Sequence, residues 1–219
     1  MPRIKTPASS ANLGPGFDCL GLALNLYNTF DVQLNKEDEL VNVEKRFNHK
    51  DNLFLQAYRC GIKDLKIDDH IKVTFHSEIP VSRGLGSSSS LICAGLLAAS
   101  ALHGNALSKD RIFQLAAGLE GHPDNVAPCL FGGLCASLKA DDDQFYCRNL
   151  SIDPKWKLTL FIPDFEVSTA QARSVLPDFY RRETAVSNAS KALLLTKALE
   201  KGDLPLLNVC AKDEIHEPY

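Results

Sequence analysis

The chain has 219 residues, 45% of them apolar, enough to bury a substantial core as one large domain or as one domain plus part of another. Its formal net charge of -3, with no block of like charge, argues against nucleic acid or an anionic membrane surface as the main partner. Seven scattered cysteines without a C-x-x-C point away from a zinc site or a disulfide framework, and no apolar leader or bilayer-length run occurs, so the expected setting is the cytoplasm.

Arg3 to Thr6 reads as an opening strand, followed by a loop rich in turn residues from Pro7 to Asp18. Strand-like runs follow at Cys19 to Leu26, Phe30 to Leu34 and Leu40 to Glu44, with a helix over Asn52 to Lys63. The alternating segment Ile71 to His76 predicts a half-buried strand, and the apolar run Leu91 to Leu102 predicts a buried helix starting at Ser87. Between them lies Pro80-Val81-Ser82-Arg83-Gly84-Leu85-Gly86-Ser87-Ser88-Ser89-Ser90.

A glycine-serine loop at a strand-to-helix junction is suited to phosphate. Gly84 and Gly86 let the backbone approach a ligand, and the helix start offers free N–H groups and its positive dipole end. A plain turn with a serine cap is the competing reading. A P-loop is excluded because Ser87 stands where Lys would follow the last glycine, and a dinucleotide fingerprint because Ser89 takes the place of the third glycine. Phosphate here would be held by backbone, hydroxyls and Arg83.

Ser108 predicts an N-cap for a helix from Lys109 to Leu119, stopped by Gly121 and Pro123. That leaves Glu120, His122, Asp124 and Asn125 crowded into one turn, where a carboxylate working with phosphate oxygens suits magnesium better than zinc. Strands are expected at Gly132 to Leu138 and Phe145 to Leu150 around a turn at Asp141 to Gln144. A second unit opens with a strand at Lys157 to Pro163, then helices from Ser168 to Arg173, from Thr184 to Lys201, and from about Asp203.

Three stretches together resemble the GHMP small-molecule kinases, most closely the homoserine kinases. They are the loop Pro7 to Asp18 with Leu20-Gly21-Leu22-Ala23, the loop Pro80 to Ser90, and Glu120-Gly121-His122-Pro123-Asp124-Asn125-Val126-Ala127-Pro128 through Gly133. The resemblance implies an α+β, two-layer GHMP kinase fold. Residues 1–154 would form an N-terminal domain like domain 2 of ribosomal protein S5 that binds ATP. Residues 155–219 would form a ferredoxin-like C-terminal GHMP domain, expected to be truncated because an Arg after Tyr219 and a third glycine-rich motif are not present.

The implied activity is ATP-dependent phosphorylation of L-homoserine on the way to threonine, with activity of this incomplete chain in question. The alternatives are another GHMP kinase acting on a mevalonate-like or sugar-like alcohol, or a non-catalytic ligand-binding protein of this fold. The implied cofactors are ATP and Mg²⁺; no nucleic acid or membrane partner is expected, and a homodimer is left open. Pro80 to Ser90 would wrap the ATP phosphates, Ser88 and Glu120 would hold Mg²⁺, and Asn125, Glu120 and Ser88 would carry catalysis. Asn12, Asp18, His122, Asn125, Thr169 and Arg173 would line the amino-acid site, with Asp18 taking the ammonium and Arg173 the carboxylate.

Overall fold

The computed structural model describes residues 1–165 and 169–219. Strand β1 (Arg3–Ala11) pairs antiparallel with the long β2 (Leu20–Asn35), from Arg3 opposite Asp31 to Ala11 opposite Gly21, with a register shift between Pro7 and Ser9. The C-terminal half of β2 also pairs with β4 (His70–His76), which takes the short β3 (Glu39–Val41) in parallel. The other end of β2, Leu20 to Leu22, pairs with β5 (Leu134–Lys139), and β6 (Phe145–Leu150) completes a six-stranded mixed sheet.

Helices α1 (Leu53–Asp64), α2 (Ser87–Leu102), α3 (Lys109–Glu120) and α4 (Val126–Phe131) form the second layer. Asn52 caps α1 by accepting from Phe54 N, and Ser108 caps α3 by accepting from Arg111 N. The sheet's inner face and α1 meet in a cluster of Phe30, Phe54 and Phe75 with ring centroids 5.0 to 5.6 Å apart. Helix α2 is buried on most sides and passes α1 so closely that a Cβ on Gly95 would lie 2.3 Å from Phe54 O. Side chains from α2, α3, α4 and β5 fill a second cluster around Leu96, Ile112, Phe113 and Val126.

Beyond the sheet come α5 (Thr169–Ser174), α6 (Arg182–Lys201) and α7 (Leu204–Cys210). A small cluster of Leu20, Leu195, Ala198 and Cys210 joins α6 and α7 to the start of β2. All seven cysteines are free. Among the described residues no helix is long and apolar enough to cross a membrane.

The structure corrects several sequence expectations. Pro7 to Ala11 belong to β1 rather than to a loop, because the shift after Pro7 accommodates the missing N–H and pairing resumes at Ser9. The two strands expected between Cys19 and Leu34 are one, and the strand at Leu40 shrinks to Glu39–Val41. The short α4 is an addition to the expected elements. Lys157 to Pro163 form no strand: no described strand pairs with them, and Phe161 is 88% exposed, so apolar alternation has nothing to pair with. The expected helix start at Ser168 lies outside the described residues.

Candidate active site

A cleft of about 1210 Å³ opens where the end of β1, the loop between β4 and α2, and the turn after α3 converge. In that loop Ser82, Gly84 and Gly86 have φ of 56°, 70° and 62°, while Arg83 and Leu85 between them do not have positive φ. Such alternation turns successive N–H groups toward one concavity, an anion nest. Space also forces glycine at position 86, where a Cβ would lie 2.2 Å from Ser9 Oγ. No side chain caps α2, so its first-turn N–H groups are left for a ligand. Arg83 Nη1 is buried without a hydrogen-bond partner in the same loop, an orphan donor that an anion would satisfy.

Helical phase divides the four serines. Ser87 and Ser88 line the cleft. Ser88 Oγ and Ser89 Oγ both donate to Glu120 Oε1, the latter at 3.0 Å. Ser90 is fully buried on the far side, 2.8 Å from Thr6 Oγ1, and its hydroxyl accepts from Asn28 Nδ2 at 3.2 Å. Its side chain braces β1 and does not reach the cleft, because successive helix positions turn by about 100°.

The turn after α3 is equally determined. Gly121 ends the helix at φ 90°, and Asp124, 1% exposed, accepts from Asn125 N at 2.9 Å and sits 2.6 Å from His122 Nδ1. The hydrogen bond to Asp124 raises the His122 imidazole above its ordinary range, against the opposing effect of burial. Asn125 Oδ1 accepts from Ser9 Oγ at 2.8 Å, which leaves the amide Nδ2 for a ligand. Strand β2 carries glycine where this turn presses on it: a Cβ on Gly21 would lie 1.9 Å from Asp124 O.

At the other end stand Asn12, Phe17, Asp18, Thr169 and Arg173. Asn12 and Asp18 are both left-handed at φ 56°, and Asn12 Oδ1 accepts from Asp18 N at 2.9 Å. Arg173 on α5 donates from Nη1 to Asp18 Oδ2 at 2.9 Å and from Nη2 to Asp18 Oδ1, a two-pronged ion pair. Its guanidinium lies 5.3 Å over the Phe17 ring, which stacks on His216 at 5.0 Å. Asp18 and Arg173 are therefore partners of one another, where the sequence suggested two separate charged contacts.

Of the expected residues, Asn12, Pro80 to Ser88, Glu120, His122, Asn125, Thr169 and Arg173 line the cleft; Asp18 joins it through Arg173, and Ser89 through Glu120. Two positioning residues escaped the sequence reading. Ser9, fully buried, donates to Asn125 Oδ1, while its N–H reaches Leu85 O at 3.1 Å, so one residue of β1 holds both sides of the cleft. Asn28 accepts from Glu78 N and Ile79 N, both at 3.0 Å, and fixes the entry to the phosphate loop. A lone polar residue in a strand gives no sequence signal of either role.

The donor set suits Mg²⁺, which takes one or two carboxylates together with substrate phosphates and water. Glu120 offers one carboxylate, flanked by the Ser88 hydroxyl. Among the described residues no group of three or more His, Cys, Asp or Glu forms an all-protein cage.

A family profile described as the GHMP kinases N terminal domain matches residues 52–133. A homoserine kinase of Clostridium botulinum (strain Kyoto / Type A2) is 38% identical over 221 residues, covering all of this chain and 74% of that relative. Among solved structures, a putative homoserine kinase from Listeria monocytogenes superposes with TM-score 0.78 at 30% identity, over 96% of this chain and 73% of that one. Homoserine kinase from Cytophaga hutchinsonii gives TM-score 0.84 at 26% identity, over 99% and 73%. With its fold, phosphate loop and acid-flanked turn in these places, the chain belongs to the GHMP kinase family, among the homoserine kinases.

Proposed function

We propose that this protein transfers the γ-phosphoryl group of ATP to the hydroxyl of L-homoserine. The observation that carries the reading is the meeting, in one cleft, of an anion nest at residues 82–86 with Arg173, which is paired to Asp18. The first suits phosphates and the second a zwitterionic amino acid; identity of 38% across the whole chain to a homoserine kinase supports the pairing of the two.

In this reading the phosphates lie on the N–H groups of the loop and of the start of α2, with Arg83 as side-chain donor. Ser88 and Glu120 would hold Mg²⁺, which when bound neutralises charge on the phosphates. Asn125, its carbonyl oxygen held by Ser9, donates from Nδ2 to the substrate hydroxyl and keeps it in line. An amide takes no proton, and the buried Asp124 is already engaged with His122 and the Asn125 N–H. Phosphoryl transfer has a loose transition state in which positioning and charge stabilisation carry most of the rate, so the hydroxyl proton leaves late, to a phosphate oxygen. The amino-acid end is read by Asn12, Asp18, His122, Thr169 and Arg173. The division near residue 154 fits the close of the sheet at Leu150.

An ADP-release assay across L-homoserine, mevalonate and galactose tests the reading. Turnover with L-homoserine is expected; turnover with mevalonate alone would move the assignment to another GHMP kinase, and none with any of the three would leave a binding protein.

A further inference from the structure

Asp18 and Arg173 satisfy one another. Arg173's two terminal nitrogens each donate to a different carboxylate oxygen of Asp18, with side-chain exposures of 38% and 37%. The pair is reachable from solvent and is braced from two sides. Asn12 Oδ1 fixes the backbone of Asp18 from within the cleft wall, and the ring of Phe17 underlies the guanidinium. Any ligand that uses either charge must first compete with the other.

From this we infer that the Asp18–Arg173 pair is a self-occupied site that selects ligands by requiring both charges at once. The inference rests on the amino-acid substrate read above. A zwitterion replaces one internal ion pair by two, its ammonium on Asp18 and its carboxylate on Arg173, and leaves nothing unpaired. A ligand with a carboxylate alone takes Arg173 away from Asp18 and places a second anion beside the stranded carboxylate. A ligand with an ammonium alone strands Arg173 in the same way, and an uncharged alcohol has no means of opening the pair. Discrimination thus comes from the penalty imposed on the wrong ligand as much as from contacts to the right one. The closed pair also lowers the fraction of molecules ready to bind, which reduces the apparent affinity for every ligand that needs it open.

The test is a gain of affinity on removing a binding residue. γ-Hydroxybutyrate is L-homoserine without the ammonium, and propanolamine is L-homoserine without the carboxylate. Direct calorimetric titration should show γ-hydroxybutyrate binding Asp18→Asn roughly threefold or more tighter than wild type, the scale of a partly exposed ion pair. Propanolamine should gain similarly with Arg173→Gln, while L-homoserine weakens in both. Glu78→Gln, which neutralises another acid of the same cleft wall, should leave γ-hydroxybutyrate binding unchanged and so separates the pair from general electrostatics. Unchanged, weaker or undetectable binding of γ-hydroxybutyrate to Asp18→Asn would overturn the inference, as would an equal gain in Glu78→Gln. Failure of the wild type to bind or phosphorylate L-homoserine would instead sink the substrate reading, which the titrations of the two single-charge ligands leave separate.

Discussion

Replacing Asn125 by Asp or by Ala separates positioning of the hydroxyl from proton abstraction. Aspartate keeps the shape and the acceptor for Ser9 Oγ at 2.8 Å, and the backbone N–H still reaches Asp124. What changes is Nδ2, which becomes an anionic oxygen next to the phosphate loop, where a Cβ on Gly86 would already lie 2.9 Å from Asn125 Oδ1. Alanine removes the donor without adding charge, and Ser9 Oγ retains the main-chain oxygen of residue 125 at 3.2 Å. Loss of one orienting donor in the transition state is worth about 2–4 kcal/mol, roughly 30- to 1000-fold in kcat. Folding stability should change by only about 1 kcal/mol, since a single partly buried hydrogen bond is lost. Steady-state ADP release with L-homoserine gives kcat, and titration of nucleotide checks that ATP binding persists. Aspartate should be no faster than alanine. If Asn125→Asp instead outruns Asn125→Ala tenfold, with a rate that rises as a carboxylate ionises, residue 125 stands where a base can act and the positioning argument fails. Loss of an acidic limb in Asp124→Asn at unchanged substrate affinity would refute it from the other side.

Asn28→Ala should destabilise the fold by about 2–4 kcal/mol in chemical denaturation, because Glu78 N and Ile79 N lose their acceptor in a buried place, and nucleotide affinity should fall with it. Gly21→Ala should displace the Asp124–Asn125 turn and lower kcat more than its effect on the denaturation midpoint would suggest; a variant with normal kcat would show that the turn can yield. The His122 ring should titrate above the ordinary histidine range by NMR and move down in Asp124→Asn. As its folded pKa is raised, the stabilisation from this pair is complete below the unfolded pKa and is lost as pH rises through the folded one. Ser88→Ala leaves Glu120 Oε1 still bonded to Ser89 at 3.0 Å, so the fold should hold while the Mg²⁺ concentration for half-maximal rate increases.

Local signals in the amino-acid sequence determine a large part of this protein. Asn52 and Ser108 cap the helices they precede, and the Ile71 to His76 alternation is a strand. Ser82, Gly84 and Gly86 do fall between a strand and a helix start, and Ser87 to Ser90 form that helix's first turn, because caps, alternation and glycine placement act over a few residues. The motifs also indicate most of the cleft wall. Tertiary structure alone decided which way each side chain of the serine run points, sending Ser90 to Thr6 and Asn28 while Ser88 meets Glu120. It alone brought Ser9 to Asn125 across 116 positions of sequence, and Arg173 to Asp18 across 155. It also overruled the apolar alternation of Lys157 to Pro163, since a strand exists only where another strand accepts its hydrogen bonds. Sequence pattern reports what a segment prefers; the partner that satisfies a buried donor or a charge is set by the packing of distant segments, which no local pattern records.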